Sequence, residues 1–330
     1  MSEIPIPGPV VISFAEQCDR GKVREENQDS VRHLRMPLGE LLIVADGIGG
    51  YEGGAIASRM AVEQFSAYLA RLPADYPPGR AIAEASARVN AEIVAAGQAP
   101  DSPNHRMGST VVLALLQQNG AGAQSQSATQ VQSQAHAQVY TQIHAQVHAW
   151  IGHIGDSRAY LMHDGRLSRI TNDHSAVQAL LNRNIITPEE ARHHPDASVL
   201  TRSLGHQPEV EIDMEMVELV TGDTLLLCSD GLWGYVDERQ IESIVANPAL
   251  TVEAASRALL DLALDASGQD NIGIELARLS VASPVISPML QRRPRFMGIL
   301  AVCLLVIVGL GALISLGLRH HWLHALRHLR

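Results

Sequence analysis

Short apolar runs alternate with longer stretches of helical spacing over residues 1–280. Six runs have the composition of β-strands, and several of them end at Gly or Asp: residues 41–45, 110–116, 147–154, 159–163, 210–219 and 224–228. Four stretches place apolar residues at helical spacing: residues 54–69, 81–96, 238–246 and 251–266. Thr187 and Pro188 have the residue types of a helix N-cap and first helical position.

The spacing of residues 158–169 (RAYLMHDGRLSR) predicts a β-hairpin, with Asp164 and Gly165 as its turn. Asp-Gly favours the two-residue turns that join antiparallel strands, whereas parallel strands require a long crossover. The sequence therefore predicts an α+β fold.

Two segments interrupt this pattern. Residues 117–147 repeat Gln with Ala, Ser and His and contain few large apolar side chains, which predicts a disordered or weakly structured insert. The alternation of residues 138–149 favours an extension of the following strand. Residues 281–295 are rich in Pro, Ser and Arg and predict a linker, so that the first domain covers residues 1–280.

Residues 296–318 form an uncharged apolar run near the C-terminus. A helix of this length reaches roughly 35 Å at about 1.5 Å per residue, enough to cross a hydrocarbon core of about 30 Å. We therefore expect one transmembrane helix, followed by a short basic tail at residues 319–330. Arginines flank both ends of the run, but the N-terminus has no export signal, so we expect an inner-membrane anchor with the preceding domain in the cytoplasm.

The charge and the cysteines exclude some classes of protein. The chain has 35 acidic and 25 basic residues and a net charge of −10, which argues against nucleic-acid binding. Cys18, Cys228 and Cys303 are too scattered for a disulfide framework or a zinc cluster, and Cys228 has the surroundings of a core residue.

Five aspartates carry the candidate chemistry, and four of them lie at or just after apolar runs: Asp29, Asp46, Asp156, Asp230 and Asp270. Carboxylates brought together in one cleft repel one another and raise each other's pKa values. Hard divalent cations relieve that repulsion, and ligand sets made only of oxygen favour Mg²⁺ or Mn²⁺ over zinc. The five positions therefore predict a shared metal site.

Eight segments between residues 13 and 279 resemble, in order, the metal-dependent protein phosphatase family, also called protein phosphatase 2C. They are DRGKVREENQDS, LLIVADGIGGYEGG, MGST, IGDSRAYL, ITNDHS, LTRSLG, LLLCSDGLW and QDNIG. The resemblance implies a four-layer α-β-β-α sandwich of two antiparallel sheets flanked by helices. It also implies hydrolysis of phosphoserine and phosphothreonine in proteins by water activated between two Mn²⁺ or Mg²⁺ ions. The expected membrane anchor, taken alone, leads to the hypothesis that the substrates are those of a Ser/Thr kinase at the same membrane.

The resemblance also implies roles for individual residues. Asp46 matches the aspartate that bridges the two metals, and Gly47 matches the glycine whose carbonyl is a further ligand. Asp230 and Asp270 match the aspartates that complete the coordination of the first metal.

Three further positions match polar residues of the family site. Asp29 matches the acidic residue that supports metal-bound water, and Asp156 matches an aspartate that holds a third, weaker metal in bacterial members. Arg24 matches the arginine that grips the substrate phosphate, a role suited to the paired donors of a guanidinium group.

The chain departs from the family pattern at two positions. Gln28 stands where many members have Glu, so we expect the second metal to be bound there through water. Tyr51 stands where many bacterial members have His, and tyrosine is the poorer proton donor near neutral pH. Metal-bound water, His153 or His174 could supply the proton instead. Residues 172–200 correspond to a variable flap beside the cleft.

Other classes fit the sequence less well. A phosphatase with an aspartate nucleophile needs Asp-x-Asp, and VADGIGG has Gly at the second position. A nucleotide-binding P-loop needs GxxxxGK[ST], which the chain lacks. The open alternative is a catalytically silent member of the same fold that acts as a membrane-tethered binding module.

Overall fold

Eleven strands and seven helices alternate in the computed structural model, which describes residues 10–49, 53–98, 107–118, 147–192 and 194–281. All of these residues lie in one compact unit, Met1–Ala282. Tyr51, most of the Gln-rich insert and the expected membrane helix at residues 296–318 fall outside the described residues. Within the described ranges, no helix is both long enough and apolar enough to cross a bilayer.

The strands form two antiparallel sheets. The strands are β1 (Val10–Asp19), β2 (Asp29–Met36), β3 (Gly39–Ile48), β4 (Gly108–Ser109), β5 (Val111–Gln118), β6 (Val147–Ile154), β7 (Arg158–His163), β8 (Arg166–Arg169), β9 (Asp213–Leu219), β10 (Thr224–Cys228) and β11 (Ile272–Val281). One sheet has the order β1-β11-β10-β7-β8, and the other has the order β2-β3-β5-β6-β9, with β4 paired to β3.

Helices cover the outer face of each sheet. The helices are α1 (Gly53–Leu69), α2 (Pro78–Gly97), α3 (Ala176–Asn182), α4 (Pro188–Arg192), α5 (Asp230–Trp233), α6 (Glu238–Val245) and α7 (Val252–Ala266). Helices α1 and α2 pack on the β2-to-β9 sheet around Phe65 and Ile82, and helices α5 to α7 pack on the other sheet around Leu259.

The core between the two sheets follows from the alternation of their strands. Leu42 and Val44 of β3 face Leu225 and Leu227 of β10 across this interior, and all four are fully buried. Alternate residues of the same strands point outward to the helices, so both faces of each central strand are apolar. Two antiparallel sheets flanked by helices confirm the predicted class and its four layers.

Several local predictions are confirmed. Asp164 and Gly165 adopt φ values of +48° and +77°, as a two-residue hairpin turn requires, and they join β7 to β8. Helix α4 begins at Pro188, and the Thr187 hydroxyl accepts a hydrogen bond from the Glu190 backbone N–H. The strand expected at residues 210–219 begins later, at Asp213.

One end of the sandwich gathers the strand ends that carry the aspartates. Asp29 opens β2 and pairs with Asp46 near the end of β3. Asp230 directly follows Ser229 after β10, and Asp270 directly precedes Asn271 and β11, which is the antiparallel neighbour of β10. Asp156 lies between β6 and β7. Antiparallel pairing therefore brings the five aspartates, from Asp29 to Asp270, to one edge of the sandwich.

Candidate active site

A cavity of about 520 Å³ opens at this edge. Four of the five aspartates line it, together with Arg24, Gln28 and Gly47: Asp46, Asp156, Asp230 and Asp270. The fifth, Asp29, is buried beside Asp46. The structure thus brings together side chains that lie up to 246 positions apart in the sequence.

Asp29 is a buried carboxyl group with one oxygen satisfied. Its Oδ2 accepts a hydrogen bond of 2.6 Å from the Ser229 hydroxyl, whereas Oδ1 has no partner among the described residues. Burial raises the pKa of Asp29 to about 7, even though the Ser229 hydrogen bond favours the ionised form. An unpaired buried carboxylate oxygen is costly, so we expect Asp29 to bind a proton, a water molecule or a cation beside Asp46.

The cavity carboxylates disfavour each other's ionisation. Burial, followed by the charge of Asp230, raises the pKa of Asp46 well above its usual range. Burial and the charge of Asp156 do the same to the pKa of Asp230. Burial and the charge of Asp173 raise the pKa of Asp156 to about 6. Repulsion of this kind is what a bound cation removes.

The donor set fits hard divalent cations. The carboxylates of Asp46, Asp230 and Asp270 and the backbone of Gly47 offer only oxygen to the cavity, as Mg²⁺ and Mn²⁺ prefer. The backbone of Gly47 packs closely against that of Gly54, so that a Cβ atom at residue 47 would overlap the Gly54 carbonyl. Only glycine therefore lets the backbone reach this position.

Arg24 reaches the same cluster from the loop after β1. Its Nη2 donates a hydrogen bond of 2.8 Å to Asp270 Oδ2, and about half of its side chain stays exposed. Asn271 fixes that loop, since its Nδ2 donates to the carbonyls of Arg20 and Glu26 and its Oδ1 accepts from the Gln28 N–H. The motif QDNIG contains this asparagine, but the sequence alone assigned no role to it.

The turn that carries Asp156 is tied to Asp46 through Thr110. The Thr110 hydroxyl accepts a hydrogen bond of 3.0 Å from the Asp46 N–H and lies 2.7 Å from the Ser157 hydroxyl. Gly155 has a φ of +100°, and a Cβ atom there would lie 2.7 Å from Thr110. The two aspartates are thus held on a rigid backbone.

The wall of the cavity extends beyond the expected flap. Residues 198 and 200 of the predicted segment line it, and so do residues that follow the segment: Thr201, Arg202, Ser203, His206 and Gln207. The two histidines considered as proton donors, His153 and His174, are not among the described residues that line the cavity. Cys228 is fully buried, as expected.

His153, His174 and Asp213 form a second polar cluster, whose ligand atoms lie within 4.8 Å of one another. The hydrogen bonds argue against a metal there. The His174 Nδ1 accepts a hydrogen bond from the Gly155 N–H, so its Nε2 carries the proton and donates to Asp213. A neutral imidazole cannot ligate a cation through that protonated nitrogen. The cluster is therefore a hydrogen-bonded support.

Comparisons with known proteins agree with this site. The family model described as Protein phosphatase 2C matches residues 20–265. The serine/threonine protein phosphatase PstP of Mycobacterium tuberculosis is 36% identical over 271 residues, which are 81% of this chain and 45% of PstP. The serine/threonine phosphatase stp of Listeria monocytogenes is 34% identical over 268 residues, which are 79% of this chain and 93% of stp.

A solved structure is similar as well. The catalytic domain of the serine/threonine protein phosphatase PstP, in complex with two manganese ions, superposes with a TM-score of 0.62 and 33% identity, covering 82% of this chain and 100% of that one. The fold and the carboxylate-lined cavity define a metal-dependent phosphatase scaffold. The chain belongs to the protein phosphatase 2C family.

Proposed function

We propose that this chain is a metal-dependent protein phosphatase that hydrolyses phosphoserine and phosphothreonine in proteins. The observation that carries the proposal is the convergence of four aspartates and Arg24 on one cavity. The relatives with 32–36% identity are named serine/threonine protein phosphatase PstP, serine/threonine phosphatase stp and protein phosphatase PhpP, and the chain covers 45%, 93% and 95% of them, which supports the same activity here.

Asp46, Gly47, Asp230 and Asp270 hold two Mn²⁺ or Mg²⁺ ions in this proposal, and Asp156 holds a weaker third ion. When bound, two such cations activate water for in-line attack on phosphorus and offset the charge of the phosphoryl oxygens. The similar PstP structure with two manganese ions supports this choice of metal.

The side chains of the protein supply binding and proton transfer. Arg24 binds the phosphate oxygens with those guanidinium N–H groups that do not donate to Asp270. Asp29 Oδ1, which has no other partner in the described structure, accepts a proton from the attacking water.

The test is phosphate release from a phosphothreonine peptide by the purified chain with Mn²⁺. We expect turnover that EDTA removes and that Asp46→Asn lowers by about 10³-fold or more, because the loss affects transition-state charge. A catalytically silent binding module would instead bind the peptide without releasing phosphate, at any concentration of Mn²⁺.

We further infer that residues 296–318 anchor the domain to the inner membrane, with the domain on the cytoplasmic side. The uncharged apolar run and its flanking arginines support this. The anchor would place the enzyme beside phosphoproteins made by a Ser/Thr kinase at that membrane. A chain ending at Ala282 should leave the membrane fraction and lose dephosphorylation of membrane targets. Unchanged fractionation and unchanged targets would refute the anchor.

A further inference from the structure

We propose that Arg202 is a second anion-binding group of the cavity, one that recognises an additional oxyanion on the substrate polypeptide. That oxyanion is the carboxylate or the second phosphate of a residue near the phosphoserine or phosphothreonine. The proposal rests on the proposed function and assigns that activity a substrate class: phosphoprotein segments with neighbouring negative charge.

Arg202 lines the same cavity as the aspartates. Among the described lining residues, Arg24 and Arg202 are the two with a permanent positive charge. Arg24 is bonded to Asp270, whereas Arg202 is bonded to Asp213 at the start of β9. Because different elements hold the two guanidinium groups, Arg202 is available for a group other than the phosphate being hydrolysed.

The guanidinium group of Arg202 has one edge anchored. Its Nη1 donates to the carbonyl of Glu211 at 3.1 Å and to Asp213 Oδ1. In the part of the chain that the structure describes, neither Nε nor Nη2 has a hydrogen-bond partner. Those two nitrogens form the edge that binds a carboxylate or a phosphate through two parallel hydrogen bonds.

A chain of hydrogen bonds connects Arg202 to the turn that carries Asp156. The second oxygen of Asp213 accepts from His174 Nε2 at 3.1 Å, and His174 Nδ1 accepts from the Gly155 N–H at 3.1 Å. The backbone repeats the link, because the His174 N–H donates to the Gly155 carbonyl and the Thr201 N–H donates to the His174 carbonyl. Arg202 is thereby held in a fixed position relative to the carboxylate site.

Burial makes this support rigid. His174 is 7% exposed and stacks on His153, with 4.6 Å between the ring centroids. His153 is in turn hydrogen-bonded through Nε2 to the Asn172 carbonyl. The Arg202 side chain is 33% exposed, so an anchored group faces a partly hydrated space. A preorganised arginine loses less conformational entropy when it binds an anion.

Four substrates test the proposal with wild-type protein and Mn²⁺. Three are phosphothreonine peptides of one sequence whose neighbouring residues are glutamine, glutamate or a second phosphoserine. The fourth is p-nitrophenyl phosphate, which has no polypeptide. We expect kcat/KM to be about 5-fold or more higher for at least one of the two anionic peptides than for the glutamine peptide. A gain with only one of them identifies carboxylate or phosphate as the ligand.

Arg202→Gln should bring the ratio of anionic to neutral peptide close to about 1, mainly through KM, and leave p-nitrophenyl phosphate hydrolysis within about 2-fold. Arg202→Lys should retain part of the preference, since it keeps the charge but loses the paired donors. Arg202→Glu should reverse the preference towards a peptide with neighbouring lysines. Asp213→Asn, which weakens the positioning of Arg202, should raise KM more for the anionic peptides than for the glutamine peptide.

Two results would overturn the proposal: equal loss on all four substrates in Arg202→Gln, or a peptide preference that this variant leaves intact. Wild-type protein that hydrolyses none of the four substrates would instead reject the proposed function, and this substrate class with it. Hydrolysis of p-nitrophenyl phosphate and neutral peptide without any preference for anionic peptides rejects the substrate class alone.

Discussion

Asp29 and Asp46 are direct cross-strand partners in the register of β2 and β3, so that one acidic side chain opposes another at the edge of the cavity. Like charges directly opposite each other destabilise a sheet. Burial adds to the cost, and the pKa values of both groups are raised. The pairing is therefore favourable only with protons or cations bound.

The metal-free protein should lose stability as the pH rises. A carboxyl group whose folded pKa is raised contributes stability that is fully present below its unfolded pKa near 4 and lost as the pH passes the folded value. For Asp156 and Asp29 the folded values are about 6 and about 7. We expect Tm in EDTA to fall by several degrees, at least about 3 °C, between pH 5 and pH 8.

Mn²⁺ should restore that loss, because the cations replace the missing protons. Thermal melts over the same pH range check this, with a larger Mn²⁺-induced shift at pH 8 than at pH 5. Asp46→Asn should flatten the curve in EDTA and reduce the Mn²⁺ shift. Parallel curves with EDTA and with Mn²⁺ would contradict the assignment of the metal ligands.

Arg24→Ala should lower kcat/KM for a phosphopeptide by about 10²-fold, because a charged double donor to the phosphate is lost. Arg24→Lys should recover part of the activity. The measurement is steady-state phosphate release. Arg35→Ala is the matched control, since Arg35 is an exposed arginine paired with Glu40 at the other end of β2. Equal effects of the two alanine variants would exclude a specific role for Arg24.

Gly47→Ala should weaken Mn²⁺ binding by about 10-fold or more and destabilise the fold by about 2 kcal/mol, because the new methyl group overlaps the Gly54 carbonyl. Calorimetric titration with Mn²⁺ and urea unfolding measure the two effects. Gly165→Ala is the comparison variant: it introduces the backbone strain of a φ of +77°, but in a turn where the new methyl group meets open space. That variant should lose about 1 kcal/mol of stability and keep its Mn²⁺ affinity.

Glu275→Gln should remove a second source of pH-dependent stability, a buried carboxyl group that lies away from the cavity. Glu275 is fully buried in the central strand β11, and neither carboxylate oxygen has a hydrogen-bond partner within the described ranges. Burial, with a smaller contribution from Glu16 on β1, raises its pKa to about 9. Because the folded pKa is raised from 4.5, the protonated native state loses stability as the pH increases towards 9.

The variant should therefore melt at a temperature higher than wild type by about 3 °C or more at pH 8.5, with a smaller difference at pH 5. Melts in EDTA separate this effect from metal binding. Glu16→Gln is the comparison variant: it removes only the smaller contribution to the raised pKa of Glu275, so the pH dependence of Tm should shrink only in part. A difference between Glu275→Gln and wild type that stays constant over this range would show that Glu275 is already ionised in the folded protein.

The sequence predicted the class of fold and the aspartates of the cavity better than it predicted the strands. Strands β1 and β2 were not predicted, and both lie at sheet edges, where polar side chains replace the apolar pattern of a central strand. Strand β11 is central, but Glu275 and Arg278 interrupt its apolar pattern. Packing against neighbours fixes such strands, and a local pattern does not contain that information.

The site residues that were not predicted from the sequence also depend on tertiary packing. Arg202 and His206 lie in or just after the motif LTRSLG, which marked the family but not a place in the cavity. Asn271 acts by holding a loop that lies more than 240 positions earlier in the chain. Such roles follow from tertiary contacts, whereas the aspartates were found because carboxylates after strand ends are informative in the sequence itself.

The β5–β6 strand pair places the attachment points of the Gln-rich insert a strand's length away from the aspartates. Its pairing runs from Val111 and Ile154, beside the aspartate edge, to Gln118 and Val147, where the insert enters and leaves. Seven residue steps along a strand correspond to about 23 Å. The attachment points of the insert are therefore remote from the carboxylates, and we expect a change in the number of repeats to leave the spacing of the ligand atoms unaltered.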